Sequence, residues 1–330
     1  MFVYAGIDEA GYGPVLGPLV VGRSVFVVPA LAYDAPTPDL WRRLSKAVCK
    51  RISDRAGRIA VNDSKKLKTK AAGVRHLEIG CLAFTGLNGP RPETLDRWLD
   101  VLGETTHRSL ADLPWYAATD SRPWQPLPTA STDGEVAIAV AMLGSCAQRI
   151  GVQLGGLGAA VIFEDRFNKM VAATRSKASV SFTFVAGHLL HVWETYGQHR
   201  PTVVVDRQGG RTRYRDVLSQ SFPGVQVDVI EESPTCSAYE LSGRPANARS
   251  MTVTFQVDAE EANLPVALAS MVSKYTRELL MARLNDYFTS RVPGLAPTAG
   301  YAKDGKRFLK ELGPHLGKLG LSEDRLRRRA

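Results

Sequence analysis

Residues 2–22 read FVYAGIDEAGYGPVLGPLVVG, and this stretch carries most of the information about the fold. An apolar run leads directly into Asp8 and Glu9, and a loop rich in glycine and proline then precedes a second apolar run. Such runs predict two buried β-strands. In a regular strand Asp8 and Glu9 point to opposite faces, so both reach one site only where the strand ends. Gly11 and Gly13 provide that ending and permit a close approach of the backbone to a ligand.

The composition indicates a globular protein with a basic surface. The chain has 330 residues, of which 44% are hydrophobic and 23% are charged, and its net charge is +9. This balance favours a polyanionic partner such as a nucleic acid. No apolar run is long enough to cross a bilayer, no export signal is recognisable, and the four cysteines form no CxxC pair. We therefore expect a cytoplasmic protein without a membrane partner.

Helical and strand patterns alternate along the rest of the chain. Residues 38–56 have helical spacing, and further helices are predicted for GEVAIAVAMLGSCAQRI and PVALASMVSKYTRELLMARLNDYF. Strands are predicted for AAVIFED, PTVVVD, VQVDVIEE and SMTVTFQVD. This order predicts an α/β protein with a mixed sheet, helices on its faces and sites beyond the carboxyl ends of strands.

Acidic residues follow several of the apolar runs, namely Asp8, Glu9, Asp165, Asp206, Asp258, Glu260 and Glu261. An acid at a strand end also serves commonly as a turn former or helix cap, and this alternative holds for each residue taken singly. Carboxylates that converge repel one another unless a cation neutralises them. Oxygen ligands without His or Cys suit Mg²⁺ or Mn²⁺, and two such ions about 4 Å apart promote phosphodiester hydrolysis.

The stretch DSKKLKTK at residues 63–70 is a second polar cluster. Ser64 is suited to cap a helix, and Lys65 and Lys66 are suited to contact phosphates. A lysine-rich turn is also typical of a solvated surface. The pattern alone leaves both interpretations open.

Taken together, five segments resemble, in order, the motifs of the type 2 ribonucleases H, the family of ribonuclease HII and ribonuclease HIII. The segments are GIDEAGYGPVLGPLVVG, NDSKKL, PTVVVDRQG, PVALASMVSKYTRELLM and GYAKDGKRFLKEL. The resemblance implies a ribonuclease H-like mixed sheet flanked by helices, with a C-terminal helical segment. It also implies a site for two Mg²⁺ or Mn²⁺ ions. The implied reaction cleaves RNA in RNA–DNA hybrids, or single ribonucleotides in duplex DNA, and leaves 5′-phosphate and 3′-hydroxyl ends.

The resemblance also implies which carboxylates bind the metal ions. Asp8 and Glu9 match the first motif, and Asp206 matches the third. The fourth acid is open: counting back from Ala269-Ser270 indicates Glu260, counting back from Pro265 indicates Glu261, and Asp258 is a further candidate. We expect Glu260.

Substrate contacts follow from the same resemblance. The backbone amides of Gly11, Tyr12 and Gly13 are expected to contact the 2′-hydroxyl, which distinguishes RNA from DNA. Lys65 is expected to hold a phosphate, and Tyr301 is expected to stack on a sugar or base. The expected substrate-binding set is Gly11, Tyr12, Gly13, Ser64, Lys65, Ser270 and Tyr301.

The chain also departs from the family pattern. Tyr12 stands where ribonuclease HII has Arg, which puts a preference for a single embedded ribonucleotide in doubt. The chain is longer than a ribonuclease HII. We expect a single domain over residues 1–330 and, separately, a monomer. Insertions are expected near 79–135 and 207–255, and a helical part from about 265. A nuclease with another nucleic-acid substrate and a non-catalytic hybrid-binding protein are the alternatives.

Overall fold

The computed structural model describes residues 1–105, 110, 112–207, 209–244 and 248–329. Seven strands form one sheet in the order β5-β2-β1-β6-β9-β8-β7, and two short strands pair apart from it. The strands are β1 (Phe2–Ala10), β2 (Leu19–Val28), β3 (Val48–Cys49), β4 (Ile59–Ala60), β5 (Gln153–Ile162), β6 (Thr202–Asp206), β7 (Gln226–Glu232), β8 (Cys236–Ser242) and β9 (Ser250–Gln256).

Helices cover both faces of the large sheet. They are α1 (Leu40–Arg43), α2 (Ser64–Leu67), α3 (Arg75–Thr85), α4 (Leu95–Val101), α5 (Asp133–Ile150), α6 (Glu164–Thr174), α7 (Lys177–Tyr196), α8 (Arg215–Ser221), α9 (Ala259–Ala262), α10 (Leu264–Thr289), α11 (Ala302–Leu316) and α12 (Glu323–Leu326). Along the described residues, no helix combines the length and the apolar character needed to cross a bilayer.

The sheet is mixed because its central strands run parallel and its outer strands run antiparallel. β1 is parallel to β6, and β6 is parallel to β9, whereas β2, β5, β7 and β8 join by antiparallel pairing. β1 is buried along almost its whole length, as the uninterrupted apolar sequence of a central strand requires. The predicted α/β class, a mixed sheet flanked by helices with a C-terminal helical segment, is confirmed.

Two apolar cores lie on opposite faces of the sheet. The long helix α10 packs on β1 and β2 from one side, together with α3 and α5. The helix α7 packs on the same two strands from the other side. β1 and β2 therefore contribute alternate side chains to both cores.

The predicted helix over residues 38–56 is wrong. The only α-helical segment described there is α1, with Asp39 as its N-cap; the chain then forms β3 and a single 3-10 turn at Ile52–Asp54. Backbone pairing decides this difference, because Ile59 N donates to Ala47 O at 2.8 Å and Val61 N donates to Cys49 O at 2.9 Å. The spacing of apolar residues reflects their burial, and long-range pairing overrides the local helical period.

Two glycines allow α10 to lie directly on the sheet. A Cβ atom at Gly6 would lie 2.1 Å from the backbone nitrogen of Val266, and one at Gly22 would lie 2.5 Å from the carbonyl oxygen of Ala269. Both neighbours are backbone atoms of α10, so neither can rotate away. The close approach places the first turns of this helix beside the end of β1, where Asp8 lies.

We expect Gly6→Ala to lower the free energy of unfolding by about 2–3 kcal/mol, because α10 must shift to admit the methyl group. The matched control is Gly187→Ala in the middle of α7, where an added Cβ meets no atom within 4 Å. That change is expected to stabilise the protein by about 0.5–1 kcal/mol, since alanine favours a helix over glycine. Urea unfolding of both variants measures the difference, and equal stabilities would contradict the close packing.

Candidate active site

The carboxyl ends of three parallel strands meet at one edge of the sheet. Ile7 of β1 is in register with Val205 of β6, so Asp8 lies next to Asp206 across the two strands. Asp206 is in turn in register with Gln256, the last residue of β9. Ends of parallel strands are the usual position of sites in α/β sheets.

The short helix α9 brings a further carboxylate to this edge. Asp258 has a left-handed backbone with φ of 51°, which turns the chain sharply after β9. The amide of Ala259 then donates to Asp206 Oδ1 at 3.1 Å. This bond fixes the start of α9, and Glu260 in its first turn is only 7% exposed. We refer to Asp8, Glu9, Asp206 and Glu260 as the acidic cluster.

Of the three acidic residues in the cluster that lie at strand ends, Asp8 is the most deeply buried. Burial raises its pKa well above the ordinary value, and the negative charges of Glu9 and Glu260 raise it further. The nearby hydroxyl of Ser270 and a hydrogen bond from the Glu9 amide, 2.6 Å long, oppose the rise. The carboxyl group therefore lies in a region of strong negative potential.

Asp206 experiences the same field. Burial and the charges of Asp8 and Glu260 raise its pKa to about 8. The hydrogen bond from the Ala259 amide lowers the pKa, but it is too weak to compensate. Carboxylates that perturb one another this strongly must be close together, and without a cation the cluster binds protons instead.

Lys65 is a cation that faces the acidic cluster. Burial lowers the pKa of its ammonium group, but the charges of Asp63, Asp8, Glu260 and Asp206 outweigh burial and raise it. Lys65 lies in α2, which Asp63 caps by accepting the amide of Lys65 at 3.0 Å. The residue is exposed, so its ammonium group remains open to an anionic ligand.

The donor set of the cluster fits a hard divalent cation. In the ranges that the structure describes, no three His, Cys, Asp or Glu side chains are already arranged as a metal site. Within those ranges Glu260 Oε2 is buried without a hydrogen-bond partner. A buried orphan oxygen costs free energy that an ion can offset. All-oxygen donors suit Mg²⁺ or Mn²⁺.

The other acidic candidates lie outside this arrangement. Glu261 is exposed and forms an ion pair with Lys66 at 2.5 Å. Asp258 is exposed at the turn before α9. Asp165 lies in α6 and pairs with Lys169 at 2.7 Å. Of the three acids considered for the fourth position, Glu260 is the one whose charge acts on both Asp8 and Asp206.

Ser64 and Ser270 lie beneath the acidic cluster. The Ser270 hydroxyl donates to the Ser64 hydroxyl at 3.0 Å, and Ser270 is close enough to Asp8 to lower the pKa of its carboxyl group. Both side chains are buried, with 5% and 2% exposure. In this arrangement the two residues adjoin Asp8 and the start of α2, and their role in substrate binding stays a prediction.

The predicted loop after β1 lies beside the cluster. Gly11 has φ of 88°, a conformation that favours glycine, and Tyr12 is partly buried near Glu9. Tyr301 reaches the same region, because the carbonyl of Gly300 accepts the amide of Val15 at 2.8 Å. The Tyr301 ring is 49% exposed. The structure thus brings the predicted loop and the predicted tyrosine to one side of the molecule.

Sequence reasoning missed the charged residues that surround this loop. Arg277 of α10 and Arg328 both donate to its carbonyl groups, and Glu164 accepts one of its amides. Burial and the charge of Glu9 raise the pKa of the Tyr12 hydroxyl, and the nearby Arg211 opposes this rise. Arg328 belongs to a run of basic residues that is typical of a solvated segment, so the sequence offered no signal for its burial.

No family model matches the chain, and no curated protein sequence matches it. Solved structures that are similar to it are type 2 ribonucleases H. A chain of the complex of PCNA with RNase HII from Archaeoglobus fulgidus is 14% identical, with a TM-score of 0.41, covering 99% of this chain and 95% of that chain. Ribonuclease H2 from Pyrococcus horikoshii OT3 is 14% identical, with a TM-score of 0.44 and coverages of 98% and 92%. RNase H3 from Aquifex aeolicus is 15% identical, with a TM-score of 0.36 and coverages of 93% and 67%.

Proposed function

We propose that this protein is a divalent-metal-dependent endoribonuclease that cleaves the RNA strand of RNA–DNA hybrids. The observation that carries the proposal is the convergence of Asp8, Asp206 and Glu260, whose charges raise the pKa of Asp8 and Asp206. Such a cluster of carboxylates is stable in its ionised form only with a cation. The order of the five motifs supports this reaction and substrate.

Asp8 and Asp206 are the residues that would hold two Mg²⁺ or Mn²⁺ ions, and Glu9 and Glu260 would complete their ligand sets. When bound, such ions supply an activated water and stabilise the leaving oxygen of an in-line phosphodiester displacement. The expected products carry 5′-phosphate and 3′-hydroxyl ends. The amide of Glu9 donates to Asp8 and the amide of Ala259 donates to Asp206, and these bonds orient the two carboxylates. These bonds keep the two carboxylates directed toward the same edge.

Three further groups are proposed to bind the substrate. Lys65 faces the acidic cluster and offers a cation to the phosphate next to the cleaved bond. The amides of Gly11, Tyr12 and Gly13 are proposed to contact a 2′-hydroxyl, which is present in RNA and absent from DNA. The exposed ring of Tyr301 offers a surface on which a sugar or base can stack.

The binding partner, the oligomeric state and the cellular location of the protein are part of the same proposal. A net charge of +9 supports a polyanionic partner, and we propose a monomer of one domain that acts on nucleic acid in the cytoplasm. Light scattering of the purified protein tests the monomer, since a dimer would double the measured mass. Binding to a hybrid is expected to weaken steeply as the salt concentration rises.

Three labelled duplexes test the reaction: an RNA–DNA hybrid, a DNA duplex with one ribonucleotide, and an all-DNA duplex. We expect cleavage of the hybrid with Mg²⁺ or Mn²⁺, and none of the all-DNA duplex. Product mapping identifies the ends, and the second duplex decides whether Tyr12, in place of Arg, excludes single ribonucleotides. Binding of the hybrid without cleavage under either metal ion would support a non-catalytic hybrid-binding protein. Cleavage of the all-DNA duplex and of neither other duplex would support a nuclease with a different nucleic-acid substrate.

Substitutions at the two neighbouring glutamates test which of them is the fourth carboxylate of the site. Glu260→Gln is expected to reduce kcat for hybrid cleavage by about 100-fold, because a ligand charge beside Asp8 and Asp206 is lost. Glu261→Gln is the matched control and is expected to change kcat less than about 3-fold, since its exposed ion pair with Lys66 contributes little. The reverse ranking of the two variants would assign the role to Glu261.

A further inference from the structure

Arg328 is buried beneath the loop that follows β1, although it lies in a run of basic residues. Its side chain is 2% exposed. The guanidinium group donates to the carbonyl of Gly11 and, at 2.8 Å, to the carbonyl of Tyr12. A third contact reaches Gly17 O at 3.4 Å, and the backbone amide of Arg328 donates to Val15 O at 2.8 Å. One residue thus contacts four points of a single loop.

The burial of this charge has a specific basis. The guanidinium carbon lies 4.2 Å from the ring centroid of Phe167, and the carboxylate of Glu164 lies in the same pocket. Glu164 is fully buried and accepts the amide of Gly17 at 3.1 Å and the hydroxyl of Tyr116 at 2.7 Å. Burial and the charge of Arg277 lower the pKa of Arg328 to about 10, so it remains charged at neutral pH.

The peptide groups of the loop explain what Arg328 does. In a trans peptide unit the C=O and N–H bonds point in opposite directions. The carbonyl of Gly11 shares its peptide unit with the amide of Tyr12, and the carbonyl of Tyr12 shares its unit with the amide of Gly13. Arg328 binds both carbonyls from the protein side, and its bonds therefore direct both amides away from the protein side.

We propose that Arg328 is a positioning residue that aims the amides of Tyr12 and Gly13 at the 2′-hydroxyl of the substrate. The inference rests on the proposed function, because it assigns those amides to ribose recognition. Arg277 holds the other end of the loop by donating to Leu16 O at 3.1 Å. Arg328 is the group that contacts the peptide units on both sides of Tyr12, so its loss affects the two recognition amides directly.

The test compares Arg328→Ala and Arg328→Lys with two neighbours. Arg327→Ala and Arg329→Ala are matched controls, since both side chains are exposed and pair with Glu323 and Asp324 at 3.2 Å. We expect Arg328→Ala to lower kcat/KM for hybrid cleavage by about 100-fold, because the recognition amides are misplaced. Arg328→Lys keeps the charge but not the fork of donors, and a loss of about 10-fold is expected. The controls are expected to match the parent.

A second measurement does not depend on activity. The amides of Val15 and Leu16 donate to Gly300 O, and the amide of Gly17 donates to Glu164. Hydrogen exchange of these three amides is expected to speed up at least about 10-fold in Arg328→Ala, while exchange in β6 stays unchanged. Addition of guanidinium ion at millimolar concentration is expected to restore part of the activity of this variant. The proposal would be overturned if Arg328→Ala had the loop exchange rates and the kcat/KM of the parent. It would also be overturned if exchange changed throughout the protein and guanidinium ion restored no activity. A third result separates the two proposals: the unmodified protein cleaves no duplex, yet Arg328→Ala exchanges its loop amides faster. That result would overturn the proposed function and the role of the amides in ribose recognition. It would still support the contact of Arg328 with the loop.

Discussion

Asp206→Asn is expected to reduce cleavage of the RNA strand of a hybrid by at least about 1,000-fold, with little change in hybrid binding. Asp206 ends β6 next to Asp8, and burial together with the charges of Asp8 and Glu260 raises its pKa to about 8. The amide substitution preserves size and the bond from the Ala259 amide, but it removes the charge that would hold a metal ion. Cleavage rates under saturating substrate, with Mg²⁺ and with Mn²⁺, measure the loss.

The same variant has a second expected effect in the absence of metal ions. Removing one carboxylate from the acidic cluster relieves repulsion, so Asp206→Asn is expected to raise Tm by about 2–4 °C in a chelator. Added Mg²⁺ or Mn²⁺ is expected to stabilise the parent more than the variant, because the parent retains the full ligand set.

Two outcomes would contradict the assignment of Asp206. A variant that cuts the hybrid at the parental rate would remove it from the catalytic site. A variant that is less stable than the parent in the chelator would show that the carboxylate is a structural acceptor rather than a member of a repelling cluster. Asp165→Asn is the matched control, since Asp165 lies outside the cluster and pairs with Lys169 on the surface.

Glu78→Ala is expected to lower the free energy of unfolding by about 4 kcal/mol, the largest loss of stability among the changes proposed. Glu78 lies in α3 and is fully buried. Its two oxygens accept six hydrogen bonds of 2.6–2.8 Å, five from the backbone and hydroxyls of residues 129–131 and one from the Tyr275 hydroxyl. Alanine would leave the buried hydroxyl of Tyr275 and the donors of residues 129–131, which are not buried as deeply, without this acceptor.

The pH dependence of stability follows from the same carboxylate. Burial raises the pKa of Glu78, but the bonds from Thr129 and Ala130 lower it more, and the net pKa lies below the ordinary value of 4.5. Its contribution is therefore present above about 4.5 and is lost as the pH falls through the folded-state pKa. We expect the parent to lose stability along this acid limb and Glu78→Gln to lack that part of the pH dependence.

Urea unfolding at pH 7 and at acid pH measures both effects. Glu311→Ala is the matched control on α11, where an exposed carboxylate pairs with Arg307 at 2.7 Å, and its cost is expected to stay within about 0.5 kcal/mol. A Glu78→Ala variant within about 1 kcal/mol of the parent would show that residues 129–131 find other acceptors.

The sequence alone was sufficient for the central strands and the long helix. The apolar runs of β1, β6 and β9 and the pattern of α10 predicted elements that the structure contains. Their prediction succeeded because a strand buried on both faces, or a long buried helix, has a recognisable local pattern of apolar residues. The acids at the ends of these runs were visible for the same reason. Residues 236–242 escaped prediction as β8, because they form an outer strand without a strong apolar run.

Tertiary structure alone decided which charged residues meet. Glu260 differs from Glu261 by one position, yet one faces Asp206 and the other faces Lys66, because the left-handed turn at Asp258 sets the rotation of α9. Arg328 looks like a solvated basic residue until Phe167 and the carbonyls of the loop enclose it. Hydrophobic periodicity is local and survives in the sequence, whereas the pairing of a charge depends on partners hundreds of residues away, whose positions only the folded chain defines.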